Sequence, residues 1–93
     1  MNYTITLDPS VALKKVDGQT VLFSKQTGDF YGLNSTAVHL VEQLLASDFD
    51  TATTKAAKDY GVEETIIRND MTDVVDSLLE AKLIHRVPIG GHA

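Results

Sequence analysis

The sequence contains no cysteine and no tryptophan, only two prolines, and no apolar run near the ~20 residues that cross a bilayer. Without cysteine, disulfides, thiolate nucleophiles and most structural zinc sites are excluded. The N-terminus carries no basic segment leading into an apolar stretch, so it does not read as a secretory signal. Basic residues are also few, 8 Lys and Arg against 13 Asp and Glu, for a net charge of −5. Nucleic-acid binding draws much of its affinity from phosphate neutralisation. The small groups Lys14-Lys15, Lys55 with Lys58, and His85-Arg86 are too scattered to supply it. Neither a nucleic-acid nor a membrane partner is expected, and the cytosol is the expected compartment.

Catalytic patterns are missing too. Ser10, Ser24, Ser35, Ser47 and Ser77 have no glycine-flanked nucleophile elbow. No glycine loop is placed to cradle phosphate, since Gly28 and Gly32 read as turn and strand glycines. His39 has Glu42 and Gln43 at helical spacing, an incomplete metal site, and His85 and His92 fall in the C-terminal segment. No catalytic residue, metal ligand or cofactor follows, and the chain is not expected to be an enzyme.

What remains is 93 residues with 43% hydrophobic content, the size of one domain (1–93) built on one modest core. The most informative stretch is Asp17 to Leu33, DGQTVLFSKQTGDFYGL, followed by Asn34-Ser35-Thr36-Ala37. Val11 to Val16 and Gln19 to Ser24 read as strands joined by Asp17-Gly18, a dipeptide suited to the positive φ angles of a type I′ hairpin. Lys25-Gln26-Thr27-Gly28 supplies a second turn into a strand from Asp29 to Leu33. Two successive hairpins make a meander, which leaves that third strand on an edge with one row of backbone groups unpaired. Phe30 and Tyr31 must face opposite sides of it. Earlier, Tyr3 to Leu7 alternates as a strand should, but the sequence offers it no partner, and Asp8-Pro9 ends it.

Three helices follow. Asn34 is placed to cap Ser35 to Ala46, where Val38, Leu40, Val41, Leu44 and Leu45 form the apolar stripe. Asp50 is placed to cap Thr51 to Tyr60, whose inward face is small (Ala52, Ala56, Ala57), and Gly61 suits a left-handed stop. The longest helix runs roughly from Glu63 to Lys82. Ile67, Met71, Val74 and Leu78 form its stripe, broadened by Ile66, Val75 and Leu79, and Ile66, Asp70, Asp73 and Ser77 line one border. Most of this stripe must be core, so only the border and Ile67, Met71 and Val74 are open to a ligand. Asp70 and Asp73 would favour basic residues in an occupant of any groove they border. Leu83 to Val87 reads as a short strand, and Ile89 to Ala93, with Gly90-Gly91, as a frayed end.

With these elements in place, the chain resembles the PqqD family of small peptide-recognition domains from pathways for ribosomally made, post-translationally modified peptides. The resemblance is carried by Asp17-Gly18 with Val21-Leu22 and by Thr27-Gly28-Asp29-Phe30-Tyr31-Gly32-Leu33-Asn34. It continues through Ala37-Val38, Asp73-Val74, Leu78-Leu79 and Lys82-Leu83-Ile84, spanning about Val11 to Val87. It implies an α+β, winged-helix-like fold: a three-stranded antiparallel meander followed by three helices. It implies that a precursor's leader peptide adds as a strand beside the third strand and lies in the cleft along the third helix. Carried onto this chain, the peptide-binding candidates are Asp29, Phe30, Tyr31 and Gly32, with Ile67, Asp70, Met71, Val74 and Leu78.

The implied function is a non-catalytic adaptor that presents the precursor to a leader peptidase, cyclase or radical enzyme. The TGDFYGLN segment looks closer to the lasso-peptide branch than to the branch serving pyrroloquinoline quinone synthesis. The alternative from another class is a winged-helix DNA-binding regulator, which the acidic third helix opposes. A third is an oligomerising module that uses the edge strand on itself.

Overall fold

The computed structural model of the protein describes residues 2–89. The elements run β1 (Tyr3–Leu7), β2 (Val11–Val16), β3 (Gln19–Ser24), β4 (Phe30–Gly32), α1 (Ser35–Ala46), α2 (Phe49–Tyr60), α3 (Glu64–Glu80) and β5 (Ile84–Pro88). The class is α+β, as the sequence implies. Strands β2, β3 and β4 form an antiparallel meander in chain order. The β2–β3 turn has φ of 52° at Asp17 and 80° at Gly18, the double positive φ that a two-residue hairpin of this hand requires.

The sequence leaves Tyr3–Leu7 without a partner. In the structure it pairs antiparallel with β5, from Tyr3 opposite Pro88 to Leu7 opposite Ile84. This second sheet packs β1 against α1 and α2, and β5 against α3. Alternation in β1 buries Tyr3 and Ile5 in the common core with Leu22, Leu40, Val41, Leu44, Phe49, Met71, Val75 and Ile84. Tyr3 stacks on Phe49 with ring centroids 4.8 Å apart, and Arg86 and Arg68 lie over the outer faces of the two rings at 5.2 and 5.3 Å. The tail expected to fray, Ile89 to Ala93, is only partly described. The Ile89 N–H donates to the Asn2 carbonyl at 3.2 Å, while residues 90–93, including His92, lie outside the described residues.

Two helix boundaries differ from the sequence reading. Helix α1 starts where expected, with the Asn34 side chain accepting from the Ala37 N–H at 2.8 Å. Helix α2 starts at Phe49, capped by Asp48 rather than by Asp50. Asp48 accepts from the Thr51 N–H at 3.0 Å, from the Thr51 hydroxyl at 2.8 Å and from the Asn2 amide at 2.9 Å. Asn2 returns the contact, its side-chain oxygen accepting from the Asp50 N–H at 3.0 Å. The start of α2 is thus held by a residue 48 positions away, which no local pattern reveals. Gly61 stops α2 in the left-handed region, as expected. Helix α3 ends at Glu80 instead of Lys82 because Lys82 turns left-handed, with φ 61°. The Lys82 and Leu83 N–H groups then donate to Leu79 and Leu78, reversing the chain into β5.

Both carboxylates that fasten the strand pair are held well below the usual carboxylate range. Hydrogen bonds from the Ser10 hydroxyl and N–H, then from His85, hold Asp8 down at about 2. The Thr51 N–H, the Asn2 amide and the Thr51 hydroxyl do the same for Asp48. Each titrates near its ordinary 3.8 when unfolded, so protons bind the unfolded chain first as pH falls. The stabilisation is present above that value and disappears as pH drops through about 2. Urea midpoints should therefore stay level from neutral pH to about 4, fall steeply towards about 2, and flatten in D8N and D48N. Asn2→Ala should lower unfolding free energy by roughly 1–2 kcal/mol in the same assay, because it removes both links to α2.

Candidate functional site

The meander has two outer edges. Strand β2 guards its own with Lys14 and Lys15, the usual protection against unwanted pairing. Strand β4 (Phe30-Tyr31-Gly32) has no charged residue. Its hydrogen bonding fixes which backbone groups stay free. The Ser24 N–H donates to the Asp29 carbonyl at 2.9 Å, and the Leu33 N–H donates to Thr20 at 3.0 Å. Residues 29, 31 and 33 therefore turn towards β3. In an antiparallel ladder the intervening residues point the other way, so Phe30 and Gly32 present N–H and C=O outwards.

Side chains alternate on the same strand. Tyr31 lies opposite the fully buried Leu22 and packs half-buried against the core. Phe30 lies opposite Phe23 on the other face, 58% exposed, with ring centroids 4.7 Å apart. Gly32 shares the Phe30 face, and a Cβ there would meet only the flexible end of Gln19.

Beside β4 runs a groove along α3, made of three overlapping cavities. The first, about 410 Å³, lies between Tyr31, Gly32 and Leu33 on one side and Val74, Leu78 and Leu83 on the other. The second, about 230 Å³, has Asn34 and Thr36 on the α1 side, Asp70 and Asp73 on α3, and Ala37, Leu40 and Val74 among its apolar lining. The third, about 240 Å³, opens among Tyr60, Val62, Ile66 and Ile67, again touching Thr36 and Asp70. Shared residues join them. Ala37, Asp73 and Val74 belong to the first and second, and Thr36 and Asp70 to the second and third.

The structure brings Tyr31, Gly32, Val74 and Leu78 together around the first cavity and places Asp70 and Ile67 further along the groove. Met71 lines none of these cavities. It is fully buried, with its sulfur 3.7 Å from the Thr53 hydroxyl of α2, and it supports the groove from beneath. Asp29 and Phe30 stand outside the cavities, on the turn and on the far face. The lining also includes Leu33, Ala37, Ser77, Ala81 and Leu83. Ser77 lies on the border of α3 that helical geometry marks out. Leu33, Ala37 and Leu83 fall in stretches that carry the family resemblance, but neither they nor Ala81 are marked as lining, because short or apolar residues beside a core look like core. His39, on α1, is partly buried edge-on to Tyr60, with Nε2 3.5 Å from Asp59. No group of three metal-ligating side chains occurs among the described residues.

Comparison with known proteins gives the same outline. A family model described as coenzyme PQQ synthesis protein D (PqqD) matches residues 19–84. A solved structure of a lasso peptide synthetase B1 complexed with the leader peptide superposes with a TM-score of 0.79 at 27% identity, covering 87% of this chain and 96% of that one. TbiB1 in complex with the TbiA(beta) leader peptide superposes with a TM-score of 0.77, covering 95% and 98%. At 20% identity that second likeness speaks for the fold alone. Comparison with the curated proteins finds no match.

The division between groove lining and core is measurable. Met71→Ala should cost roughly 2–5 kcal/mol in urea unfolding, as buried truncations do. Ile66→Ser, at a half-exposed position, should stay within about 0.5 kcal/mol.

Proposed function

We propose a function from one premise: the chain belongs to the PqqD family, whose model matches residues 19–84. In this reading the protein is a non-catalytic adaptor, residues 1–93 forming one recognition domain. It captures the leader of a ribosomally made precursor as an added strand on β4 and presents it to a processing enzyme of the same pathway. The observation that carries the reading is the free β4 edge, with Phe30 and Gly32 turned outwards, directly beside an apolar cavity lined by Tyr31, Val74 and Leu78. Strand addition needs both parts: main-chain groups supply hydrogen bonds, and adjacent pockets read alternate side chains.

The 27% identical neighbour, solved with a leader peptide, favours a lasso-peptide or related pathway over quinone-cofactor synthesis. The partner enzymes in that setting are a leader peptidase and a cyclase, and the compartment is the cytoplasm. No helix among the described residues is long and apolar enough to cross a membrane. DNA reading by α3 is opposed by its charge. Its one basic residue, Arg68, is occupied by Asp50 and Glu64 at 3.3 and 3.4 Å, while Asp70, Asp73, Asp76 and Glu80 also lie on the helix.

A micromolar complex needs about −8 kcal/mol. A few ladder hydrogen bonds and two filled apolar pockets supply that once ordering costs are met. Titrating a fluorescent synthetic leader peptide of the protein's cognate precursor should give micromolar binding. Val74→Glu and Tyr31→Glu should each weaken it at least about tenfold, because a charge in the pocket must be desolvated. Circular dichroism should show both variants folded. Unchanged affinity in both would remove this site.

A further inference from the structure

We propose that the groove selects an extended peptide with a cationic side chain flanked, two residues away on each side, by apolar ones. The inference rests on the leader-binding reading and specifies the chemistry of the leader.

The three cavities differ in character along α3. The end cavities are mainly apolar, one lined by Tyr31, Leu33, Val74, Leu78 and Leu83, the other by Tyr60, Val62, Ile66 and Ile67. Each meets only one carboxylate, Asp73 or Asp70, on its border with the middle cavity, where both converge. Exposures of 43% at Tyr60, 40% at Val62 and 51% at Ile66 leave an apolar surface that β4, three residues long, does not reach. The middle cavity is amphipathic, with Ala37, Leu40 and Val74 below and Asp70 and Asp73 at the rim. Lysine and arginine have the matching shape, an aliphatic stem that packs on apolar surface and a charged head that stays at the water boundary.

The two rim carboxylates are also unspent. Among the described residues, Asp8 and Asp59 lie against His85 and His39, and Asp50 and Glu64 pair with Arg68. Neither Asp70 nor Asp73 has a basic partner among the described residues, and the wall opposite, Asn34 and Thr36, is neutral. A neutral or acidic occupant would leave two carboxylates side by side on the α3 wall without a counter-charge, whereas a cation relieves their repulsion.

Spacing gives the register. Leu78, Val74, Asp70 and Ile66 follow one another at four-residue steps, about 6 Å each along the helix. An extended peptide advances about 6.7 Å for every two residues and repeats its side-chain direction at that interval. Side chains at i, i+2 and i+4 therefore fall over the three cavities in turn, as apolar, cationic and apolar. The pattern reads alike from either end, so it holds for both strand polarities.

The test is selection from a random-peptide phage library on the intact protein and on the D70N/D73N variant, both checked by circular dichroism. The wild type should enrich Lys or Arg at one position with apolar residues two places to either side. The variant should keep the apolar preferences and lose the basic one. For a selected peptide, replacing its central Lys with Gln should weaken binding about fivefold in the wild type, less at high salt, and under about twofold in the variant. Apolar enrichment with no basic preference, or a basic preference that survives in the variant, overturns the inference while the groove stands. A wild type that enriches no peptide removes the leader-binding reading, and this inference with it.

Discussion

The placement of α3 is the constraint on which the groove depends. Its buried stripe, Ile67, Met71, Val75 and Leu78, is pressed into the core, and each residue there is nearly or fully inaccessible. Helix α2 packs on α3 with a mostly small inner face; Ala52, Thr53 and Ala56 are wholly buried. Thr53 satisfies its hydroxyl on the Phe49 carbonyl one turn back, so no polar group is stranded between the helices. With one face fixed, helical periodicity turns Asp70, Asp73, Val74 and Ser77 towards β4 and α1. The groove is the flank that the core leaves uncovered.

The strand pair β1–β5 secures this arrangement from below. It joins segments nearly eighty residues apart and packs against all three helices. Through Asn2 it also sets the start of α2, and through Tyr3 it stacks on Phe49. Because β1 pairs with β5, neither terminal strand occupies the β4 edge. The meander thus keeps a free border without the protein leaving its own terminal strands unpaired, a division of labour between two sheets.

Elements written in local chemistry were legible from the sequence: the Asp17-Gly18 hairpin, the Asn34 cap, the left-handed Gly61 and the bounds of α1. Features set by distant residues were not. The sequence reading places the cap at Asp50, whereas Asp48 caps the helix through Thr51 and is joined there by Asn2 from the far end of the chain. Tyr3–Leu7 showed strand alternation, but its partner lies at the other end of the chain. Within the groove, periodicity identified the face of α3 and its acidic border but not depth. Met71 and Val74 share one stripe, yet one is core and the other lines a cavity, because that depends on what packs opposite. Phe30 and Tyr31 were separable by alternation alone, and the register with Phe23 and Leu22 shows which ring goes where.

The brevity of β4 has a kinetic meaning. Only two of its residues turn their main-chain groups outwards, so a guest strand gains few ladder bonds and must draw the rest of its hold from the cavities. At an ordinary association rate of about 10⁶ M⁻¹s⁻¹, a micromolar grip implies dissociation at about one event per second. Many enzymes turn over at about 10 s⁻¹. In the proposed adaptor, a guest held for about a second would stay through several turnovers of such an enzyme and then leave without an opening motion.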